Sequence, residues 1–387
     1  MRGRIATFPV VVVAALALAS AAAFANTIVV DDDGHGSATG CSGTTPIPST
    51  IQAGVNAASP GDTVKVCPGN YPGAVTVNKT LTLDGAKAGV DARNRGTSGE
   101  SIVSAPGGGP AFTLAANNVT LDGFTIKSSD TGIQTSPNFS GYLIQNNVVT
   151  NNSLGIYLNT GAGTQSEVRH NKIASNNASG TAVAGTGIYS DQGANNIVID
   201  QNLFSNQQNE GINFASGTGI NVHDNVMKDM PNTAISFFSG VTNSTIDHNT
   251  LTNASVNPNG GSAIFIGGND STIGVTNNTI TRPNFDGIAI RGTATGITVQ
   301  NNKVIRGGHD GISVTSTTSG ATTTTGNTLQ RNANDGIFYG TGTAANHITN
   351  NTAASNAHFN CEDANGVSTT NVWSANTGGN GSPTGIC

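Results

Sequence analysis

Four stretches of this chain set a pair of reactive residue types directly before an asparagine: Arg169-His170, Asp200-Gln201, His223-Asp224 and Asp247-His248. Histidine, aspartate and arginine move protons and neutralise carboxylates near neutral pH. Two chemistries fit this pattern. In an elimination on a uronate sugar, Arg169, or a calcium ion on Asp200 and Asp247, neutralises the sugar carboxylate. His223 then abstracts the proton, with His170, Asp224 and His248 alongside. In a hydrolysis, Asp200 and Asp247 serve as acid and base. Stacked two coils apart, their backbones stand about 10 Å from each other, which suits inversion better than retention. The same alternation is also a stable polar face without any function. Opposite charges about 5 Å apart attract by roughly 3 kcal/mol at an effective dielectric near 20.

A second column precedes a recurring Gly-Ile pair: Asp286, Asp310 and Asp335, with Glu210 earlier in the chain and His309 and Arg291 nearby. Stacked carboxylates repel unless a cation or a raised pKa relieves them, and calcium is the cation such a column implies. Aspartate beside glycine also bonds turn amides with no metal at all. Tyr157 and Tyr189, outward on a neighbouring strand, offer faces on which sugar rings stack.

These residues are positioned by a repeat. A Gly-Ile or Ala-Ile pair recurs about every 24 residues from Gly132 to Gly336. Asn147, Asn171, Asn202, Asn225, Asn249, Asn278, Asn302, Asn327 and Asn351 recur in step. Each unit holds three short stretches of alternating apolar and polar residues, which read as strands separated by Gly and Asn turns. The expected fold is therefore all-β: a right-handed parallel β-helix of about 24 residues per coil and three strands per coil. The asparagine column becomes a buried amide ladder. A leucine-rich repeat has a similar period, but it needs many leucines and a helical stretch per unit, and neither is present. Strand alternation places Ile199, Val222 and Ile246 inward, so Asp200, His223 and Asp247 point outward. Two longer repeat steps carry extra residues in 174–187 and 253–262, expected as walls of a groove beside the charged stripe.

Residues 1–25 have the parts of a secretory signal: Arg2 and Arg4, an apolar run from Val10 to Ala22, and a small-residue cleavage site ending at Ala25. The run is short for a membrane span. A secreted or periplasmic chain with no anchor after cleavage is expected. Residues 26–60 read as an N-terminal cap with a short helix, Ser49 and Gln52 forming its capping box. Residues 61–360 read as the β-helix and 361–387 as a C-terminal cap. Four cysteines, Cys41, Cys67, Cys361 and Cys387, allow three pairings, of which the local one staples each end of the stack. The formal charge of −6 disfavours nucleic acid as a partner. A polysaccharide or cell-surface glycan is expected instead, bound by a monomer.

The segment "TIQAGVNAASPGDTVKVCPGNYPGAVTVNKTLTLDGA", followed by asparagine-rich coils, resembles the secreted proteins of the pectate-lyase-like superfamily. That resemblance covers nearly the whole mature chain. It implies a right-handed parallel β-helix and an activity among lyases, hydrolases and epimerases of polysaccharides, or a non-catalytic role as a binding or surface solenoid. The Ile246-Asp247-His248 run is similar to a segment of pectate lyases whose aspartate binds calcium. Thr245 stands where that segment has tryptophan, and the family's paired catalytic arginines have no counterpart here.

Overall fold

The computed structural model describes residues 25–176, 184–254, 261–315 and 322–387. The signal-peptide expectation falls almost wholly on residues 1–24, outside the described residues.

Each coil gives one strand to each of three parallel sheets. In one turn of the chain, Leu143–Gln145 joins the first sheet, Val148–Thr150 the second and Leu154–Tyr157 the third. The next turn repeats the order with Ser166–Arg169, Lys172–Ala174 and Ile188–Ser190. The inward column of the first sheet runs Ile144, Val168, Ile199, Val222, Ile246, Val275 and Val299, and none has any solvent exposure. Each such side chain stabilises by roughly 1.5 to 3 kcal/mol through burial. Period-2 alternation is what lets every coil present that apolar edge while its other face stays polar.

One left-handed residue and one asparagine turn the chain from the first sheet to the second. Asn146, His170, Gln201, Asp224, His248, Asn277 and Asn301 all have φ between 51° and 56°. The asparagine that follows each of them is buried and closes the ladder. Asn249 accepts from the Asn225 backbone N–H at 3.0 Å and donates to Asn278 Oδ1 at 3.0 Å and Val222 O at 2.8 Å.

The stack begins earlier and ends later than residues 61 and 360. Thr27–Val30 already pairs in the first sheet with Thr63–Val66. Past Cys361, Cys361–Asp363 continues the third sheet and Val372–Ser374 the first, with Trp373 opposite Ile348 in the inward column. The helix Ile51–Ala57 covers the open end with Ile51 and Val55 buried. Its cap is Thr50, which accepts from Ala53 N, and not the expected Ser49–Gln52 box. Gln52 instead accepts from Thr76 N at 2.8 Å, tying the helix sideways to the third sheet.

Both end disulfides form, Cys41–Cys67 and Cys361–Cys387, each spanning 26 residues. From loop closure each stabilises by roughly 3 kcal/mol. Reduction is expected to lower the melting temperature, read by circular dichroism with and without a reductant. An unchanged melting temperature would remove both staples from the account.

Candidate functional site on the third sheet

The predicted stripe lies at the exit of the first sheet. Gln145, Arg169, Asp200, His223, Asp247 and Thr276 stand in register on successive coils. Their surroundings differ from simple outward exposure. The 85–100 connection, a feature not anticipated from the repeat, folds over the start of the stripe. Ala92 N donates to His170 O, and a buried Arg95–Glu100 ion pair at 2.9 Å pins this connection down. Arg95 also donates to Asn146 O and Phe124 O. Asp200 is therefore 9% exposed rather than open to solvent. Arg169 is already engaged, by Glu167 at 3.0 Å and Gln145 at 3.1 Å. His170 contacts Gln201 at 3.0 Å.

Beyond that cover the stripe opens into a shallow groove of about 500 Å³ lined by Asn221, His223, Thr245, Asp247, Thr276 and Asn277. Two Asp–His contacts stand there, His223 Nδ1 with Asp224 at 2.8 Å and His248 Nδ1 with Asp247 at 2.5 Å. Burial pushes the Asp247 carboxyl up, but hydrogen bonds from Thr276, Asn277 and His248 together hold it below its ordinary value. The hydrogen bond to Asp247 raises His248. Asp247 adds stability above 3.8 that is lost as pH falls through its depressed value. His248 adds stability below 6.5 that is lost as pH rises through its raised value.

Tyr157 and Tyr189 are not part of that stripe. They sit on the third sheet in register, with ring centroids 6.0 Å apart and planes 14° apart. The seven-residue first-sheet strand Ala194–Asp200, about 20 Å long, separates them from Asp200. The Tyr157 hydroxyl donates to Asp191 Oδ1 at 2.5 Å and accepts from Gln192 Nε2 at 2.6 Å. Burial, and then the Asp191 contact, raise the Tyr157 pKa, so both oxygens keep a fixed donor–acceptor order.

The outward column continues from the tyrosines through Asn213, Ser236 and Phe265. Beside it a groove of about 330 Å³ is lined by Glu210, Asn213, Thr233, Ser236, Phe238, Gly261 and Phe265. Phe238, at its edge, is 40% exposed. Glu210 stands in the turn column between the buried Thr186 and Thr233. Burial pushes its carboxyl up to about 7, opposed only by a hydrogen bond from Asn213. Asn213 Oδ1 and Thr186 Oγ1 are buried with no hydrogen-bond partner within the described residues. Buried polar atoms without partners are few in folded proteins, and a bound group at the site is one way they are satisfied.

The two long repeat steps both connect the second sheet to the third. Their extra residues 177–183 and 255–260 lie outside the described residues.

The column of Asp286, Asp310 and Asp335 closes on itself. Asp286 accepts from His309 Nδ1 at 2.7 Å, Arg291 at 3.0 Å and Asp310 N at 3.3 Å. Asp310 accepts from Asn334 at 2.8 Å and Asp335 N at 3.1 Å. Asp335 accepts from His358 at 3.0 Å and Phe359 N at 2.8 Å. Burial first, and Asp286 second, push Asp310 up to about 6; burial and then Glu362 do the same to Asp335. Nearby ligand-capable groups are mixed sets, Asp286 with His309 and Asp310, and Asp335 with His358 and Glu362. Calcium takes cages of six to eight oxygens. Carboxylates already holding Arg291, two histidines and backbone amides do not fit it.

A cavity of about 540 Å³ lies at the N-terminal helix and is lined by Asp32, Tyr71 and Val75 among others. Asp32 is spent there on Asn70 N at 2.8 Å, so the cavity has no free acid–base pair.

Three parallel sheets wound in one hand around an apolar core, with a polar and aromatic outer face, define a right-handed parallel β-helix of the pectate-lyase-like fold. The chain belongs to the right handed beta helix region family, whose profile matches residues 74–190, 115–258 and 237–378. No curated protein matches it. Among solved structures it is similar to DFA-IIIase from Arthrobacter chlorophenolicus A6 without its lid, at 16% identity and a TM-score of 0.56 over 85% of this chain and 95% of that one. It is similar to the A-module of a mannuronan C-5 epimerase from Azotobacter vinelandii, at 17% and 0.54 over 86% and 92%. An alginate lyase from Paenibacillus sp. str. FPU-7 gives 17% and 0.51 over 72% and 91%. At these identities the likeness is one of fold.

Proposed function

We propose that the chain binds a polysaccharide along its third sheet and hydrolyses a glycosidic bond there. Glu210 gives its proton to the leaving glycosidic oxygen, a water molecule bonds to the anomeric carbon in its place, and the proton that water sheds restores the Glu210 carboxyl. One observation carries this reading: a carboxyl raised to about 7 stands at the lip of an aromatic-lined groove, beside two buried polar atoms without partners. A general acid works best when its pKa lies near the working pH, and burial of one carboxyl is how glycosidases obtain it. Tyr157 and Tyr189 supply the stacking platform, with Asp191 and Gln192 fixing the Tyr157 hydroxyl. Solved structures of the same fold are named for reactions on carbohydrates, which supports the substrate class. Two disulfides and the N-terminal apolar run favour an extracellular or periplasmic site of action.

A second reading keeps the reaction on the first sheet. It is favoured by the Asp247–His248 and His223–Asp224 contacts above their open groove. There the imidazoles would act as bases in an elimination, and Arg169 and Asp200, both already engaged, would contribute little.

A panel of polysaccharides, assayed for new reducing ends and for unsaturated uronates, separates the two readings. Tyr157→Ala with Tyr189→Ala should abolish the signal, while His223→Ala with Asp247→Ala should keep it. The second pair should also fold, losing about 1 to 2 kcal/mol in urea, because Asp247 gives up its bonds with Thr276 and Asn277 while both side chains stay partly exposed. The opposite pattern of activity would move the reaction to the first sheet.

A further inference from the structure

The corner that leaves the second sheet is built like the first, from one left-handed residue per coil. Ser128, Asn151, Ser175, Asn206, Asp229, Asn253 and Ser355 fill that position with φ from 50° to 58°. These are short polar residues, and aspartate and asparagine in particular tolerate this conformation because their side chains bond locally. Three consecutive coils break the rule with Arg282, Arg306 and Arg331, at φ of 52°, 59° and 58°. A long side chain gains nothing locally from this backbone.

The three arginines are exposed and stacked. Arg282 N donates to Ile305 O, Arg306 N to Gln330 O and Arg331 N to Ala354 O, so each stands one coil, about 4.8 Å, from the next. Lys303, exposed on the second sheet, lies beside them. No carboxylate among the described residues forms an ion pair with any of the three. Arg282 Nε donates only to the neutral Asn253 Oδ1, at 3.0 Å. The chain as a whole carries 22 acidic against 16 basic side chains, so a ladder of unneutralised cations in single file is a local reversal of its charge. Like charges at that spacing repel, and an anion laid along the ladder relieves all three contacts at once.

We propose that Arg282, Arg306 and Arg331 form a docking ladder for an anionic polysaccharide, a polymer bearing a carboxylate or sulfate on successive sugars. The ladder follows the solenoid axis, so such a polymer would lie along it and meet one guanidinium per coil. Guanidinium groups pair with carboxylate or sulfate through two parallel hydrogen bonds. The ladder is too narrow, and the rest of the chain too acidic, for the broad positive surface a nucleic-acid duplex requires. This site lies on a different corner from the third-sheet groove and does not depend on it.

The test is calorimetric titration of the full chain with oligogalacturonate, with a sulfated glycan, with a neutral glucan oligomer and with duplex DNA. The two anionic glycans, or one of them, should bind, and the affinity should fall as salt rises from about 0.05 to about 0.5 M. Arg282→Asn, Arg306→Asn and Arg331→Asn combined should weaken binding at least about tenfold. This variant uses the residue that other coils carry, so its melting temperature should match or exceed that of wild type. The combined Arg→Lys variant should keep most of the affinity. Equal binding by the triple Asn variant, equal binding of the neutral glucan, or preference for DNA would overturn the assignment.

Discussion

Glu210→Gln is expected to lower the rate of glycosidic cleavage by about 10²- to 10⁴-fold, the usual contribution of a positioned general acid. Glutamine keeps the shape and the contact with Asn213 but cannot deliver a proton. The same substitution should raise stability above pH 7. In the folded chain the Glu210 carboxyl titrates at about 7, against 4.5 ordinarily. Its contribution to stability is intact below 4.5 and is lost as pH rises through 7, because the unfolded chain ionises freely and the buried group does not. Glutamine has no such loss. The rate profile of the wild type should fall on the alkaline side near pH 7, and the melting temperatures of the two proteins should diverge from about pH 4.5 up to about 7 and run parallel above it. A Gln variant that cleaves normally, or one that is less stable than wild type at pH 8, would remove Glu210 from the mechanism.

Asn249→Ala is expected to destabilise the fold by about 2 to 3 kcal/mol. Asn249 has no solvent exposure, and its amide serves both neighbouring coils. Its loss leaves the Asn225 N–H buried without a partner, takes one of its bonds from Val222 O and from the Asn225 amide, and leaves Asn278 Oδ1 with the backbone N–H of residue 249 alone. Each unsatisfied buried group costs about 1 to 3 kcal/mol. Urea denaturation measures the change. A loss below about 1 kcal/mol would mean that the ladder is decorative and that apolar stacking alone holds the coils in register. His248, the residue immediately before, carries no such burden: its ring is exposed and pairs with the neighbouring Asp247.

The coil, its three strands and its asparagine ladder were legible because each recurs with the period of the stack. A column of Ile and Val two residues before each turn has no other geometric solution than an inward edge. What recurs once is invisible to that logic. The 85–100 connection occurs in a single coil, yet it covers Asp200 and engages His170 through a backbone hydrogen bond. Glu210 was read as a distant member of the aspartate column. Its signal was present in the sequence, since a large acid stands where the adjacent coils carry Thr186 and Thr233, but the burial that raises its pKa belongs to three dimensions. Tyr157 and Tyr189 were recognised as outward, while the distance from the Asp/His stripe depended on which sheet each strand joined. The aspartate column offered calcium or amide bonding as explanations, and the hydrogen bonds of Asp286, Asp310 and Asp335 follow the amide pattern.

The central claim is that sugar is bound and cut on the third sheet. A crystal structure of the Glu210→Gln variant soaked with an oligosaccharide that the wild type cleaves tests it most directly. The account predicts sugar rings stacked on Tyr157 and Tyr189, with a glycosidic oxygen within hydrogen-bond reach of residue 210. Sugar seated instead over His223 and Asp247, with the third-sheet groove empty, would contradict it.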